Sequence, residues 1–210
     1  MDLGVDGVEL DVRRTLDGAL VVNHDPEVEG LDIATSIGSQ LPSYVPTLLE
    51  ALDALEGVRV NVEIKNLRDS SDPTYDETGD FARQVVSTWR EAGRASSVMI
   101  SSFDFTTCIH VRQFDQSVAV GWLLMNVDPR LAIDRASKAQ FNAVEPHFNV
   151  VDAQLVIEAR RKGLAVNVWT VNEKVDIEAM VSFEVASIIT DNPALAMTLV
   201  GKRTQSGTHQ

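Results

Sequence analysis

The stretch Gly7-Val8-Glu9-Leu10-Asp11-Val12 decides the fold and points to the chemistry. Side chains on a β-strand alternate between two faces. Val8, Leu10 and Val12 therefore share an apolar face, and Glu9 and Asp11 share the opposite one. The pattern returns at Asn61-Val62-Glu63-Ile64-Lys65, where Asn61, Glu63 and Lys65 oppose Val60, Val62 and Ile64. Between these strands, a β-rich run over 19–23 ends in His24-Asp25. Three carboxylates, an imidazole and an ammonium on strand faces are costly to bury unless paired. A divalent cation held by Glu9, Asp11 and Glu63 is the simplest way to balance them. Hard oxygen ligands suit Mg²⁺ or Ca²⁺, and no thiol or imidazole cluster suggests zinc. The competing reading is a set of surface carboxylates engaged in ion pairs.

Working outward, short β-rich runs alternate with amphipathic helical segments. Strands are predicted to start near Val5, Val60, Val98, Val118, Ala143, Ala165 and Ala186. Helices are predicted over 47–56, 78–93, 104–116, 129–139, 152–162, 173–181 and 193–199. Asp152 and Asn172 suit N-caps, Pro193 suits a first helical turn, and Gly57, Gly93 and Gly163 suit helix ends. From Val98 onward the strands recur roughly every 22 residues, one βα unit each. Repeated βα units make a parallel sheet, either a closed barrel or a doubly wound sheet. The polar residues lie toward the C-terminal ends of several strands, where barrel enzymes build their sites. A doubly wound nucleotide binder would instead show a glycine-rich first turn, and none is visible. The stretch between Thr15 and Pro46 breaks the rhythm. Leu16-Asp17-Gly18 has hairpin-turn chemistry, and the remainder reads as a loop insertion that returns His24 to the end of the first strand.

Composition narrows the function classes. The 210 residues make one large domain or two small ones, and 44% hydrophobic residues supply a sizeable core. The expected organisation is one barrel domain over 1–200 and a polar tail over 201–210. A net charge of −13 argues against sequence-independent nucleic-acid binding and against docking on anionic lipid. An anionic substrate would need a local positive site, such as a cation and Lys65. The lone cysteine, Cys108, excludes an intrachain disulfide and fits a cytoplasmic location. No apolar run approaches the ~18 residues of a membrane span, and the first residues do not read as a signal peptide.

The ordered motifs resemble the glycerophosphodiester phosphodiesterase family. They are Gly7-Val8-Glu9-Leu10-Asp11-Val12, Thr15-Leu16-Asp17-Gly18, Val21-Val22-Asn23-His24-Asp25 and Val45-Pro46-Thr47-Leu48-Leu49-Glu50. After them come Glu63-Ile64-Lys65, Ser101-Ser102-Phe103, Trp169-Thr170-Val171-Asn172 and Thr190-Asp191-Asn192-Pro193. The resemblance implies a TIM (β/α)8-type barrel that hydrolyses glycerophosphodiesters to an alcohol and sn-glycerol 3-phosphate with Mg²⁺ or Ca²⁺. It further implies that Glu9, Asp11 and Glu63 hold the metal and that Lys65 contacts the phosphate. His24 becomes one of two catalytic histidines, and Trp169 packs beside the glycerol. In the family the glycerol 2-hydroxyl attacks phosphorus, and the resulting cyclic phosphate is then hydrolysed.

One departure qualifies the resemblance. The family begins with a strand ending in His-Arg-Gly and a helix bearing Pro-Glu-Asn-Thr, and neither motif occurs here. The expectation is a barrel lacking its first βα unit, with impaired activity and a tendency to self-associate through exposed sheet edges. The alternative is a non-catalytic relative that binds a phosphodiester or a partner chain.

Several residues carry a second reading. Lys65 also suits a salt bridge to Glu63 or Asp11, and Trp169 also suits a core position. Glu145 and His147 share a face and fit either a pocket lining or a supporting loop. Ser101, Ser102 and Phe103 shape the site's floor without chemistry. Asp191 reads as a helix cap ahead of a pocket residue, and Cys108 and His110 as structural or exposed.

Overall fold

The computed structural model describes residues 3–67, 75–93 and 98–206, with side chains to Gly201. The chain divides into two compact units, one of Gly7–Trp122 and one that joins the residues before Gly7 to the part from Leu123 onward.

In the first unit, β1 (Gly7–Arg14) turns at Thr15–Gly18 into the antiparallel β2 (Leu20–Val22), with Val12 opposite Val22 and Arg14 opposite Leu20. Gly18 adopts φ +85°, a left-handed conformation that glycine enters without steric cost, and its N–H donates to Thr15 O at 3.0 Å. The insertion that follows is irregular but folded. β3 (Glu27–Val28) and β4 (Leu31–Asp32) form a small hairpin, and Gly38–Gln40 make a 3₁₀ turn. Val21, Val28 and Ile33 form its buried cluster, with Leu41 and Val45 packed against it.

Helix α1 (Leu48–Ala54) starts with a capping box. Thr47 Oγ1 accepts from Glu50 N–H, and the Glu50 carboxylate accepts from Thr47 N–H at 2.8 Å. Next come β5 (Arg59–Ile64), α2 (Asp80–Glu91), β6 (Val98–Ser102), α3 (Phe105–Phe114) and β7 (Ala119–Leu124). The sheet order is β7-β6-β5-β1-β2, parallel except for β2. Helix α2 buries Phe81, Ala82, Val85, Val86 and Trp89, the stripe a helix needs to cover a sheet. Val12, Val62, Ile64, Ile100 and Val120 are fully buried on the strands.

The second unit continues the alternation with α4 (Pro129–Lys138), β8 (Ala143–Pro146), α5 (Ala153–Arg161) and β9 (Ala165–Val168). α6 (Lys174–Phe183), β10 (Ser187–Ile188) and α7 (Pro193–Ser206) complete it. Strands β8, β9 and β10 are parallel neighbours. Asp128 and Asp152 cap α4 and α5, accepting from Arg130 N–H at 2.8 Å and Leu155 N–H at 2.7 Å. No helix among the described residues is long and apolar enough to cross a membrane.

Three local expectations are corrected. Asn172 does not cap α6, whose N-cap is Glu173 without a side-chain bond. Asn172 instead ties two loops together. Its Oδ1 accepts from Asp191 N–H at 2.9 Å and Thr190 Oγ1 at 3.1 Å, and its Nδ2 donates to Asp191 Oδ2 at 2.8 Å. Those bonds satisfy more groups than one cap would. Asp191 is consequently not the cap of α7, since Asn192 Oδ1 accepts from Leu195 N–H at 3.3 Å. Helix α7 also runs to Ser206, past the expected end at residue 199. Gly201 lowers helix propensity by only about 1 kcal/mol and does not stop it.

Candidate metal centre and active site

The register of β1 and β5 builds the centre. Asp11 lies opposite Glu63, and Glu9 opposite Asn61. Paired residues of neighbouring strands project on the same side, so alternation along two strands becomes one acidic patch. One carboxylate oxygen from each of Glu9, Asp11 and Glu63 lies within 4.8 Å of the others. Lys65 follows β5 directly, its N–H donating to Val12 O at 3.0 Å. Its Nζ stands 2.7 Å from Asp11 Oδ1 and 2.7 Å from Glu63 Oε1.

Asp11 and Glu63 are only 9% and 6% exposed, so the charges act in a poorly solvated place. Burial pushes the Glu63 carboxyl up, and the Lys65 ammonium offsets this only in part while Asp11 adds to it. Burial alone would lower the Lys65 ammonium, but the Glu63 and Asp11 carboxylates outweigh it and hold it above its ordinary value. When all are ionised, three carboxylates and one ammonium sum to about −2, which a single divalent cation balances. Oxygens bound at about 2.1 Å to Mg²⁺ or 2.3–2.6 Å to Ca²⁺ can span roughly 4–5 Å across the ion. A spread of up to 4.8 Å lies within what Ca²⁺ can bridge, and Mg²⁺ would need the oxygens to close by about half an ångström.

His24 belongs to the same unit but not to the carboxylate cluster. It follows β2 on a loop, and its side chain is 78% exposed. Its Nδ1 lies 2.8 Å from Asp25 Oδ1. A carboxylate only accepts, so in the neutral imidazole this pair places the proton on Nδ1 and leaves the lone pair on Nε2. The loop is fastened by Asn23 N–H, which donates to Asp11 O at 3.0 Å, and by Arg13, which donates to His24 O.

Trp169 lies in the second unit, one residue past β9 and partly buried. Its Nε1 donates to Glu145 O at 2.7 Å, and its ring meets His147 edge-on at 5.1 Å. Glu145 is fully buried, and its Oε1 accepts from Asn167 Nδ2 at 3.0 Å. His147 caps the 3₁₀ turn Phe148–Val150 and stacks on Phe148. Buried Cys108 contacts Ser102 O and Gly121 O, a structural placement.

Sequence reasoning gave Ser101 only a place in the site's floor and passed over Asn66. Ser101 lies opposite Glu63 across β5 and β6, in one row with Asp11. It is 1% exposed, and its Oγ has no hydrogen-bond partner among the described residues. Asn66, next to Lys65, is buried and bonded to Asp76 and Thr107. It accepts from Asp76 N–H at 2.7 Å and donates to Asp76 O and Thr107 Oγ1 at 2.8 Å each. Strand alternation linked Asn61, Glu63 and Lys65, but only cross-strand register reveals Ser101.

Parallel βα units that gather Glu9, Asp11, Glu63 and Lys65 on one side of the sheet define an α/β protein with an acidic cluster able to hold a hard cation. Similarity to known proteins agrees. The model of the Glycerophosphoryl diester phosphodiesterase family matches residues 1–36 and 27–195. A glycerophosphodiester phosphodiesterase of Caldanaerobacter subterraneus subsp. tengcongensis is 29% identical, over 96% of this chain and 88% of the relative. A crystal structure of a glycerophosphodiester phosphodiesterase from Parabacteroides distasonis superposes with a TM-score of 0.85 at 25% identity, covering 97% of this chain and 87% of that one. An Oleispira antarctica phosphodiesterase, solved in complex with the product sn-glycerol-3-phosphate, gives a TM-score of 0.83 at 18% identity, covering 95% and 87%. The fold is of the TIM-barrel kind these structures share. The chain belongs to the glycerophosphoryl diester phosphodiesterase family.

Proposed function

We propose that this chain is a metal-dependent glycerophosphodiester phosphodiesterase. It hydrolyses its substrate to an alcohol and sn-glycerol 3-phosphate. The observation that carries this reading is the trio of half-buried Glu9 and buried Asp11 and Glu63, with Lys65 bridging two of its members. Family membership and the product bound to the Oleispira antarctica relative support it.

Glu9, Asp11 and Glu63 would hold Mg²⁺ or Ca²⁺. When bound there, the cation would supply charge neutralisation at the phosphodiester and polarisation of its oxygens. Lys65 reaches the phosphate as a point charge once it leaves the carboxylates. His24 moves the proton at Nε2, and Asp25 fixes its tautomer. Water adds across a P–O bond, so the alcohol oxygen leaves with a proton and the phosphate stays on glycerol. Trp169 supplies an aromatic face for the glycerol.

Product identity tests this reading. Glycerophosphocholine incubated with the chain and Mg²⁺ or Ca²⁺ should give glycerol 3-phosphate and choline by ³¹P NMR, and a chelator should stop the reaction. Phosphocholine as product, or release that persists in chelator, would overturn it.

A further inference from the structure

Arg13 stands two residues past Asp11 on β1, on the strand face of Glu9 and Asp11. Its Nε and Nη2 converge on one acceptor, the backbone carbonyl oxygen of His24, at 3.1 and 2.7 Å. The neighbouring backbone is fastened as well. Asn23 N–H donates to Asp11 O at 3.0 Å, and Asn23 Nδ2 donates to Asp25 O at 2.8 Å. The His24 side chain is itself 78% exposed, so packing does not fix it. The peptide beneath the imidazole is instead bolted at adjacent residues to β1, the strand that supplies two of the three carboxylates.

We infer that Arg13 is a positioning residue for proton transfer, tying the His24 peptide to the cation-binding strand. A guanidinium is suited to this task. Its donors are held in a rigid planar fork, and two of them meet one oxygen from a fixed direction. A lysine at the same place would offer a freely rotating point charge and one bond. A proton-transfer group on an otherwise exposed loop needs such an anchor, because a misplacement of about 1 Å costs on the order of 100-fold in rate. The catalytic part of this inference rests on the role proposed for His24. The anchoring part does not.

Two measurements on the full chain separate the parts. The first is the ¹⁵N order parameter of the His24 amide. In the wild type it should be that of rigid backbone, about 0.85, and Arg13→Gln should lower it toward 0.6 while amides of β5 keep theirs. Arg13→Lys, which preserves charge and stem, should fall between and guards against a misfolded glutamine variant. An unchanged order parameter in both variants overturns the anchor. The second is a double-mutant cycle with His24→Ala. Arg13→Gln should lower kcat about 10- to 100-fold in the wild type, leave KM within twofold, and change kcat less than twofold in the His24→Ala background. An equal loss in both backgrounds overturns the positioning role. A His24→Ala enzyme at wild-type rate overturns the role of His24 itself, and the order parameter then still decides the anchor.

Discussion

Asp11 and Glu63 face each other in register across β1 and β5, and one ammonium, Lys65 Nζ, stands 2.7 Å from each. Lys65 is therefore a counter-charge to both carboxylates. On the proposed reading a divalent cation would compete with it, and the displaced ammonium would be available to the phosphate.

Lys65→Met should separate these two duties. Removing the competing ammonium leaves the carboxylates more strongly anionic, so Mg²⁺ or Ca²⁺ affinity should rise roughly tenfold, about 1.4 kcal/mol. Phosphodiester turnover should fall by about 100-fold, because a preorganised charge at the phosphate is lost. Isothermal titration of the cation and steady-state kinetics check the two halves. Weaker cation binding in the variant would contradict the competition.

Cation removal should lower stability as well as activity. A ligand bound at 100 times its Kd stabilises the folded state by about 2.7 kcal/mol. Saturating Mg²⁺ or Ca²⁺ should therefore raise the melting temperature of the wild type by several degrees. Glu63→Gln, which keeps the shape but removes a charge, should abolish the shift. Differential scanning calorimetry with and without a chelator makes the comparison.

Asp76 should carry part of the acid sensitivity. Burial opposes its ionisation, but the Phe81 and Thr78 amides, the Thr78 hydroxyl and Arg14 outweigh that, and its carboxyl lies below the usual range. A carboxyl depressed in the folded state contributes stability above its unfolded value of about 3.9, and loses it as pH falls through the folded value. Asp76→Asn should cost about 1–3 kcal/mol at pH 7. It should also flatten the decline of stability below about pH 4. Urea denaturation across pH 2.5–7 reads both effects.

Thr47→Ala tests the reading of the insertion's exit. It removes the side-chain half of the capping box on α1 and should cost about 1 kcal/mol in denaturant titrations. Cation affinity should stay unchanged, because the carboxylate Thr47 bonds is that of Glu50, which is not one of the trio.

Features set by local rules were legible in the sequence. Period-two alternation put Glu9 with Asp11 and Glu63 with Lys65, and Asp152 announced a helix start through its own side chain. Features set by what lies across a gap were not. That Asp11 meets Glu63, and that Ser101 joins their row, depends on strand register, which packing of the whole sheet decides. Asn172 looked like a cap because a helix follows it. The loop bearing Thr190 and Asp191, distant in sequence, offered it more bonds. Arg13 drew no notice because its partner is a backbone carbonyl, which no side-chain pattern marks.

The central claim is that the Glu9–Asp11–Glu63 trio holds the cation on which hydrolysis depends. The most direct test is glycerol 3-phosphate release from glycerophosphocholine by the wild type and by Glu63→Ala, titrated in parallel with Mg²⁺ and Ca²⁺. Saturable cation-dependent release by the wild type, lost in Glu63→Ala at every concentration, is the predicted result. Equal cation-dependent release by both proteins would place the working cation elsewhere and contradict the account.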